Sequence, residues 1–422
     1  MHLHQELTHH AGFDWAGDHH DILIVDACGA VVADFQIAHT ADGWKLWCEK
    51  IAAYPRLGVA IETSFGMVVE QLIESGVTVF PVNPMSAKRY RERKHPSGTK
   101  TDHHDAWALA DALRTDGHAW RALGPKDPLI EELRILCRDE VALIEERTAL
   151  INQLRQALRE YYPTALEAFD VWTADFSWAF VERFPSAAAL SKAGKRQWEK
   201  FLHTHKLNRP KTYAERLEIF AKAAEWKVSA SMVNAKSLYA VAKAKQLRTL
   251  QTQLDEYRRR IEALFASHPD SGMFGSLPGA GPKLGPRLLS EIGSDRVLYE
   301  DGPQGLQCMA GTAPVSYQSG KIAKVQIRRA CNKSLRHAMH LFAYKSTEQC
   351  AWAKVYYETL IERGKSHAQA LRSLGQRWIK IIWKMWQTHT CYAAELHLKN
   401  QLAHGSWVLQ VQNSTTPRSP CA

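Results

Sequence analysis

The chain has 422 residues, 45% of them hydrophobic, which suits two or three cores better than one. Lys and Arg exceed Asp and Glu by 54 − 44 = 10, a basic balance that favours polyanionic partners, nucleic acid first. Eight cysteines without a CxxC pair exclude a zinc pattern and a secreted disulfide framework.

The first residues, Met1-His2-Leu3-His4-Gln5-Glu6, show no signal-peptide pattern. The densest apolar stretch, Trp378 to Trp386, is interrupted by Lys380 and Lys384, so no membrane span is expected. A cytoplasmic protein with reduced thiols is the reading that follows.

Residues 9–126 read as an α/β domain. A strand carrying Asp14 is followed by two apolar runs, Asp21 to Asp26 and Ala30 to Ile37, around a Cys28-Gly29 turn. Asp42 to Tyr54 suits a helix, Leu57 to Ile61 a buried strand, Phe65 to Glu74 a helix, Val77 to Val82 a strand and Pro84 to Tyr90 a helix. The polar, basic segment Arg91 to Lys100 reads as a loop. Beyond it, an Ala/Leu/Trp-rich helix opens at Asp102 behind a threonine N-cap. Three leading strands and then alternating helix and strand is the order of an RNase H-like fold.

Four acids stand out in this domain. Asp14 lies on the first strand, Glu62 ends the run Leu57 to Ile61, and Asp102 and Asp105 are three apart on one helix face. Together they make an oxygen-only set suited to a hard divalent cation, magnesium first and manganese as a substitute. Taken singly, such acids are as often structural, and Asp102 at a helix start also complements the helix dipole. The paired histidines at 9–10, 19–20 and 103–104 point in different directions and lack a cysteine set, so no zinc is assigned.

Residues 127–268 are mostly helical. Leu129, Leu133, Leu136, Leu143, Leu150, Leu154 and Leu158 are roughly heptad-spaced, and Leu247, Leu250, Leu254, Ile261 and Leu264 recur similarly. The two stretches are expected to pair antiparallel, within one chain or between subunits. Arg138, Arg147 and Arg155, with Asn152, are candidate nucleic-acid contacts, although such arginines are usually a solvated face. Between the two stretches, 163–234 reads as a helical insert with tryptophans at 172, 178, 198 and 226.

Residues 269–390 form a further, mainly helical domain, and 391–422 a tail. Leu277-Pro-Gly-Ala-Gly-Pro282 resembles a helix-hairpin-helix turn, in which Gly279, Gly281 and Lys283 would face a phosphate. Gly-Pro turns are also ordinary punctuation. Next comes Ala310-Gly-Thr-Ala-Pro314, then Ser316 and Gln318-Ser319-Gly320-Lys321. A basic stretch follows, with Lys324, Arg328, Arg329, Asn332, Lys333 and Arg336. A serine before a glycine is most often a turn; beside so many cations it also suits a hydroxyl held near a phosphate.

These features together resemble the DEDD-type insertion-sequence transposases, the family that includes Piv-like DNA invertases and bridge-RNA-guided serine recombinases. The resemblance covers both ends of the chain and the helical region between them. It implies a RuvC-like metal site of Asp14, Glu62, Asp102 and Asp105, and a C-terminal transposase domain in which Ser319 is the nucleophile and Ser316 the fallback. It further implies DNA partners (element ends and target), a noncoding guide RNA, and a homodimer or homotetramer with a composite site. The chain departs from the family at Ala330-Cys331-Asn332, where Gly-Asn is usual, and the insert places it with a longer branch.

The main rival is a RuvC-like nuclease in which the acids activate water and Ser319 is incidental. A sugar-kinase or chaperone-type ATPase needs a Gly-Thr-rich phosphate turn after the first acid, and Asp14-Trp15-Ala16-Gly17-Asp18 has none. A non-enzymatic nucleic-acid scaffold would have lost acids that are all present here.

Overall fold

The computed structural model describes residues 3–94, 101–124, 127–222 and 228–405. The chain divides into two compact units, Met1–Lys126 and Asp127–Ala422.

The first unit is a five-stranded sheet with helices on both faces. Its elements are β1 (His9–Trp15), β2 (His19–Asp26), β3 (Val31–Ala38), α1 (Ala41–Ile51), β4 (Leu57–Ile61), α2 (Met67–Glu74), β5 (Thr78–Pro81), α3 (Pro84–Lys94) and α4 (Asp102–Asp116). The strand order is β3-β2-β1-β4-β5. The first three strands are antiparallel, while β4 and β5 join in parallel. β4 is an interior strand between β1 and β5 and is buried along its whole length, which explains its unbroken apolar run.

Alternation sorts the side chains into two layers. Phe13, Ile22, Ile24, Val59 and Ile61 meet Trp44 and Trp47 of α1 and Val69 and Leu72 of α2 on one face. On the other face Ala60 and Phe80 meet Leu109 and Leu113 of α4, while Leu23 and Val25 meet Ala106 and Ala110.

The second unit begins with α5 (Pro128–Tyr161), then α6 (Pro163–Ala168), α7 (Asp175–Arg183), α8 (Ala187–Ala193), α9 (Lys195–Thr204), α10 (Pro210–Lys222) and α11 (Ala230–Ser267). α12 (Ser271–Gly275), α13 (Gly281–Ile292) and α14 (Gln304–Met309) lead to the hairpin β6 (Val315–Ser319) and β7 (Ile322–Gln326). The unit closes with α15 (Lys333–Gln349), α16 (Ala351–Glu362), α17 (His367–Thr388) and α18 (Ala394–Ala403).

The two long helices pair antiparallel within one chain. Glu160 meets Lys236, Arg147 meets Gln251 at 2.7 Å, Glu140 meets Arg258 at 3.1 Å, and Glu132 meets Arg260 at 2.5 Å. One core caps the far end of this pair, with Trp172, Trp178, Trp198, Phe180 and Phe184 packed on Leu154, Leu158 and Leu247. The other core, with Trp378, Trp386, Phe342, Leu288 and Leu335, is built on Leu133, Cys137 and Ile261. The expected tryptophan at 226 lies outside the described residues, as do 406–422 of the tail.

Arg91 to Lys94 continue α3 rather than forming a loop, because Arg, Glu and Lys are strong helix formers and no breaker interrupts them. The remainder of that expected loop, 95–100, lies outside the described residues.

Candidate functional site

The acids of the first unit converge through strand register and one close packing contact. Asp14 is the cross-strand partner of Asp21, while Phe13 pairs with Ile61, so Glu62 follows β4 beside the end of β1. Asp14 shares its face of the sheet with Gly12, and on that face Gly12 meets α4. A Cβ at Gly12 would stand 1.8 Å from the Ala106 carbonyl oxygen and 2.8 Å from the Ala110 nitrogen. Only glycine lets the helix lie this close to the strand. The contact carries the first turn of α4, with Asp102 and Asp105, to the end of β1. Thr101 caps that turn by accepting the His104 amide, as its position before Asp102 predicts.

Electrostatics register the crowding. The Asp14 carboxyl is pushed up to about 7, first by burial and then by repulsion from Asp105, Asp102, Glu62 and Asp21. Asp105 is buried and takes a 2.5 Å ion pair from Arg91, which brings a cation from the end of α3 to the cluster. Asp102 is exposed, and its carboxylate lies with a His19 ring nitrogen and the Asp21 carboxylate in a group whose ligand atoms are all within 4.8 Å of one another. The mutually close group therefore contains Asp21 and His19, which were not among the expected site residues. The tight turn at 16–18 held the signal: folding the chain back there sets Asp21 opposite Asp14 and places His19 on the same face.

A half-buried carboxyl with four acids close enough to repel it fits a hard divalent cation, which oxygen donors satisfy. Of the expected ligands Asp14, Glu62, Asp102 and Asp105, only Asp102 falls in the mutually close group, with Asp21 and His19.

In the second unit Ser319 ends β6 and is exposed, one residue before the two-residue turn Gly320-Lys321. Gly320 has φ +56°, the left-handed value that the first position of a tight II′ hairpin turn requires. Ser316 lies on the opposite face of the same strand. Among the described residues the Ser319 hydroxyl has no hydrogen-bond partner. The root of the hairpin is rigid: the Asn332 amide donates to the Met309 carbonyl at 2.8 Å, and Thr312 Oγ1 donates to the Gln307 carbonyl. At Gly311, a Cβ would come within 2.8 Å of Cys331 Sγ.

The expected nucleic-acid contacts fall into distinct settings. Arg138 is held by both oxygens of buried Glu291, at 2.7 and 2.9 Å, and Asn332 donates to the same carboxylate while capping α15. Glu140, also buried, is bound by Arg258 and Arg287. Arg138 and Asn332 thus belong to an internal ionic frame tying α5 to α13 and α15. Arg147 donates to Gln251, Arg155 is half-buried on α5, and Asn152 is exposed.

Gly279, at φ +87°, is required by packing, since a Cβ there would lie 2.8 Å from the Lys345 carbonyl group; Gly281 faces open space and Lys283 is exposed. Lys321, Lys324, Arg329 and Lys333 are exposed, while Arg328 and Arg336 are half-buried. Lys324 lies over the Tyr317 ring at 5.0 Å.

Comparison with known proteins accords with this layout. Residues 11–163 match a transposase family of the DEDD IS110 type, and residues 272–358 match the transposase IS116/IS110/IS902 family. A mini-circle IS117 transposase of Streptomyces coelicolor is 33% identical over 407 residues, covering 94% of this chain and 97% of its own. The 43.6 kDa protein of insertion element IS110 from the same organism is 31% identical over 73% of this chain and 76% of its own. The IS116 protein of Streptomyces clavuligerus is 26% identical over 89% and 93%. The chain therefore belongs to the IS110/IS116 family of insertion-sequence transposases.

Proposed function

We propose that this transposase cuts and rejoins DNA through Ser319, with a divalent cation, magnesium first, held by Asp14, Glu62, Asp102 and Asp105. The convergence of carboxylates around Asp14, which burial first and then their repulsion lift to about 7, carries the reading. The sheet order, with three antiparallel strands and then two parallel ones and with acids at the ends of β1 and β4, supports an RNase H-like, RuvC-type domain over 9–126. A bound cation would polarise the phosphoryl oxygens and stabilise developing charge.

The chain's own groups do the rest. The Ser319 oxygen attacks phosphorus, a Ser–O–P bond forms, and the bond to one DNA oxygen breaks. The serine proton passes to a carboxylate and the departing strand end takes up a proton. The number of phosphoester bonds is unchanged, so rejoining needs no external energy source.

Exposure of Ser319 on a hairpin tip suits attack on a large substrate. The basic excess and the family resemblance support DNA ends and target, a noncoding guide RNA and a homodimer or homotetramer as partners.

A water-using nuclease is the second reading, favoured by the absence of a hydrogen-bonded base at Ser319 among the described residues. Cleavage assays with element-end DNA, the transcribed noncoding flank and magnesium separate the two. A protease-sensitive protein–DNA adduct, lost in both Ser319→Ala and Asp102→Ala, is the expected result. Cleavage that survives Ser319→Ala without an adduct overturns the serine step.

A further inference from the structure

A second basic site lies at the foot of the serine hairpin, and it joins two of the expected contacts, Lys333 and Arg336, to Arg372, His337 and His340, which were not among them. A cavity of about 280 Å³ is walled by Thr312 and Ile327, which root the two strands, and by α15 and α17. Its polar lining is Lys333, Arg336, His337 and His340 from α15 and Arg372 from α17; no carboxylate lines it.

None of Lys333, Arg336, His337 and Arg372 has an ion-pair partner among the described residues. That is unusual beside the neighbouring frame, where Arg138, Arg258 and Arg287 are each held by a glutamate. Burial and the neighbouring cations act together on the titration of these groups. Arg372 is pushed down from the usual guanidinium value, first by burial and then by Arg336. His340 is pushed down by burial, His367, His337 and Arg372. Two half-buried guanidinium groups that line one cavity without an acid repel each other, a repulsion that an anion between them would relieve.

We infer that this cavity binds a backbone phosphate of duplex DNA, with Arg336 and Arg372 as the paired guanidinium donors and Lys333, His337 and His340 around them. The inference rests on the reading of the chain as a DNA recombinase and extends it to a second point of grip. Two planar donor forks match the oxygens of one phosphate in a way that a single lysine cannot. The hairpin gives the spacing. β6, Val315–Ser319, runs between the cavity and the hydroxyl, and its four steps at about 3.3 Å per extended residue set the two roughly 13 Å apart along the strand. That is about four base pairs of B-form DNA at about 3.4 Å each.

The test measures binding by fluorescence anisotropy of a duplex carrying the element end, across a salt series, for wild type, Arg336→Gln, Arg372→Gln and the double variant. Each single change is expected to weaken binding about 3- to 10-fold. The double change should lower the slope of log affinity against log salt by about 0.9, the value of one phosphate contact. Thermal denaturation with added inorganic phosphate supplies the second arm. Phosphate should raise the wild-type Tm and leave the double variant unchanged, and the double variant should melt no lower than wild type without anion, because a repulsion has been removed.

Wild-type affinity and salt slope in the double variant overturn the inference. So does equal stabilisation of both proteins by phosphate. Phosphate stabilisation lost in the variant with DNA affinity intact assigns the cavity to a free anion and overturns the DNA claim. Because anisotropy reads binding and not cleavage, an adduct persisting in Ser319→Ala would end the serine reading while leaving this result standing.

Discussion

The acid face of the first unit and the serine hairpin of the second are built on opposite principles. The acids sit on strands and a helix locked by core packing, and their charges are forced together at an energetic cost that the surrounding sheet carries. The hairpin is two strands with no third, and Tyr317, Ile322 and Val325 are exposed on it. A lone hairpin gains little from its own pairing; here its conformation is fixed only at its turn and root. The acids are thus prearranged by the fold, and the proposed nucleophile is presented on a surface element.

That contrast can be broken from the frame beneath the hairpin. Glu140 is nearly fully buried and neutralises Arg287 and Arg258, so Glu140→Ala leaves buried guanidinium charge unpaired. A loss of roughly 3–5 kcal/mol is expected in urea denaturation. A loss below 1 kcal/mol would show that the hairpin's foundation is as loosely held as its tip.

Gly12→Ala attacks the acid face itself. The added methyl must displace Ala106 and with it the first turn of α4. A destabilisation of about 1–3 kcal/mol is expected, with metal-dependent cleavage lost in the fraction that remains folded. Retained cleavage would mean that the carboxylates do not depend on this contact.

A smaller effect sharpens the same side. His10, buried in β1, is lowered to about 4, first by burial and then by His4, Arg114 and His9. The unfolded chain titrates near 6.5, so between these values it binds the proton that the folded chain refuses. The stability is complete above pH 6.5 and is lost as pH falls towards 4. About 1.5 kcal/mol should disappear between pH 6.5 and 5, and His10→Gln should remove that slope from the urea midpoints.

The smallest effect is expected on the hairpin. Val325 is 72% exposed, so Val325→Ser should move stability by no more than about 0.5 kcal/mol. A loss several times larger, read by thermal denaturation, would reveal that the hairpin is packed in solution.

The legibility of the sequence follows the same division. Leu57–Ile61 was readable as a strand to the residue because an interior parallel strand buries every position. Thr101 was readable as a cap, and the leucine heptads as an antiparallel pair, because each is a local pattern. Asp21 and His19 were not found, since their place depends on which residue a turn sets opposite Asp14. Arg138 and Asn332 looked like surface cations and polar groups, because the glutamate that engages them lies on a helix more than forty residues from either. The role of Arg91 was hidden by expecting a loop where strong helix formers carry α3 on to Lys94. Arg372 lies on a helix whose sequence signals only a core.

The long helix pair has one further consequence. Its two cores are attached at opposite ends, and between them only the two helices run, with Arg147 and Gln251 facing each other at 2.7 Å. A short turn joining those two residues would excise 148–250 and remove one core whole while leaving the other its full set of helices. Neither family match enters most of that stretch, since one ends at residue 163 and the other begins at 272. Residues 148–250 are therefore laid out as a separable module, and DNA binding by the shortened chain would show directly what that module contributes.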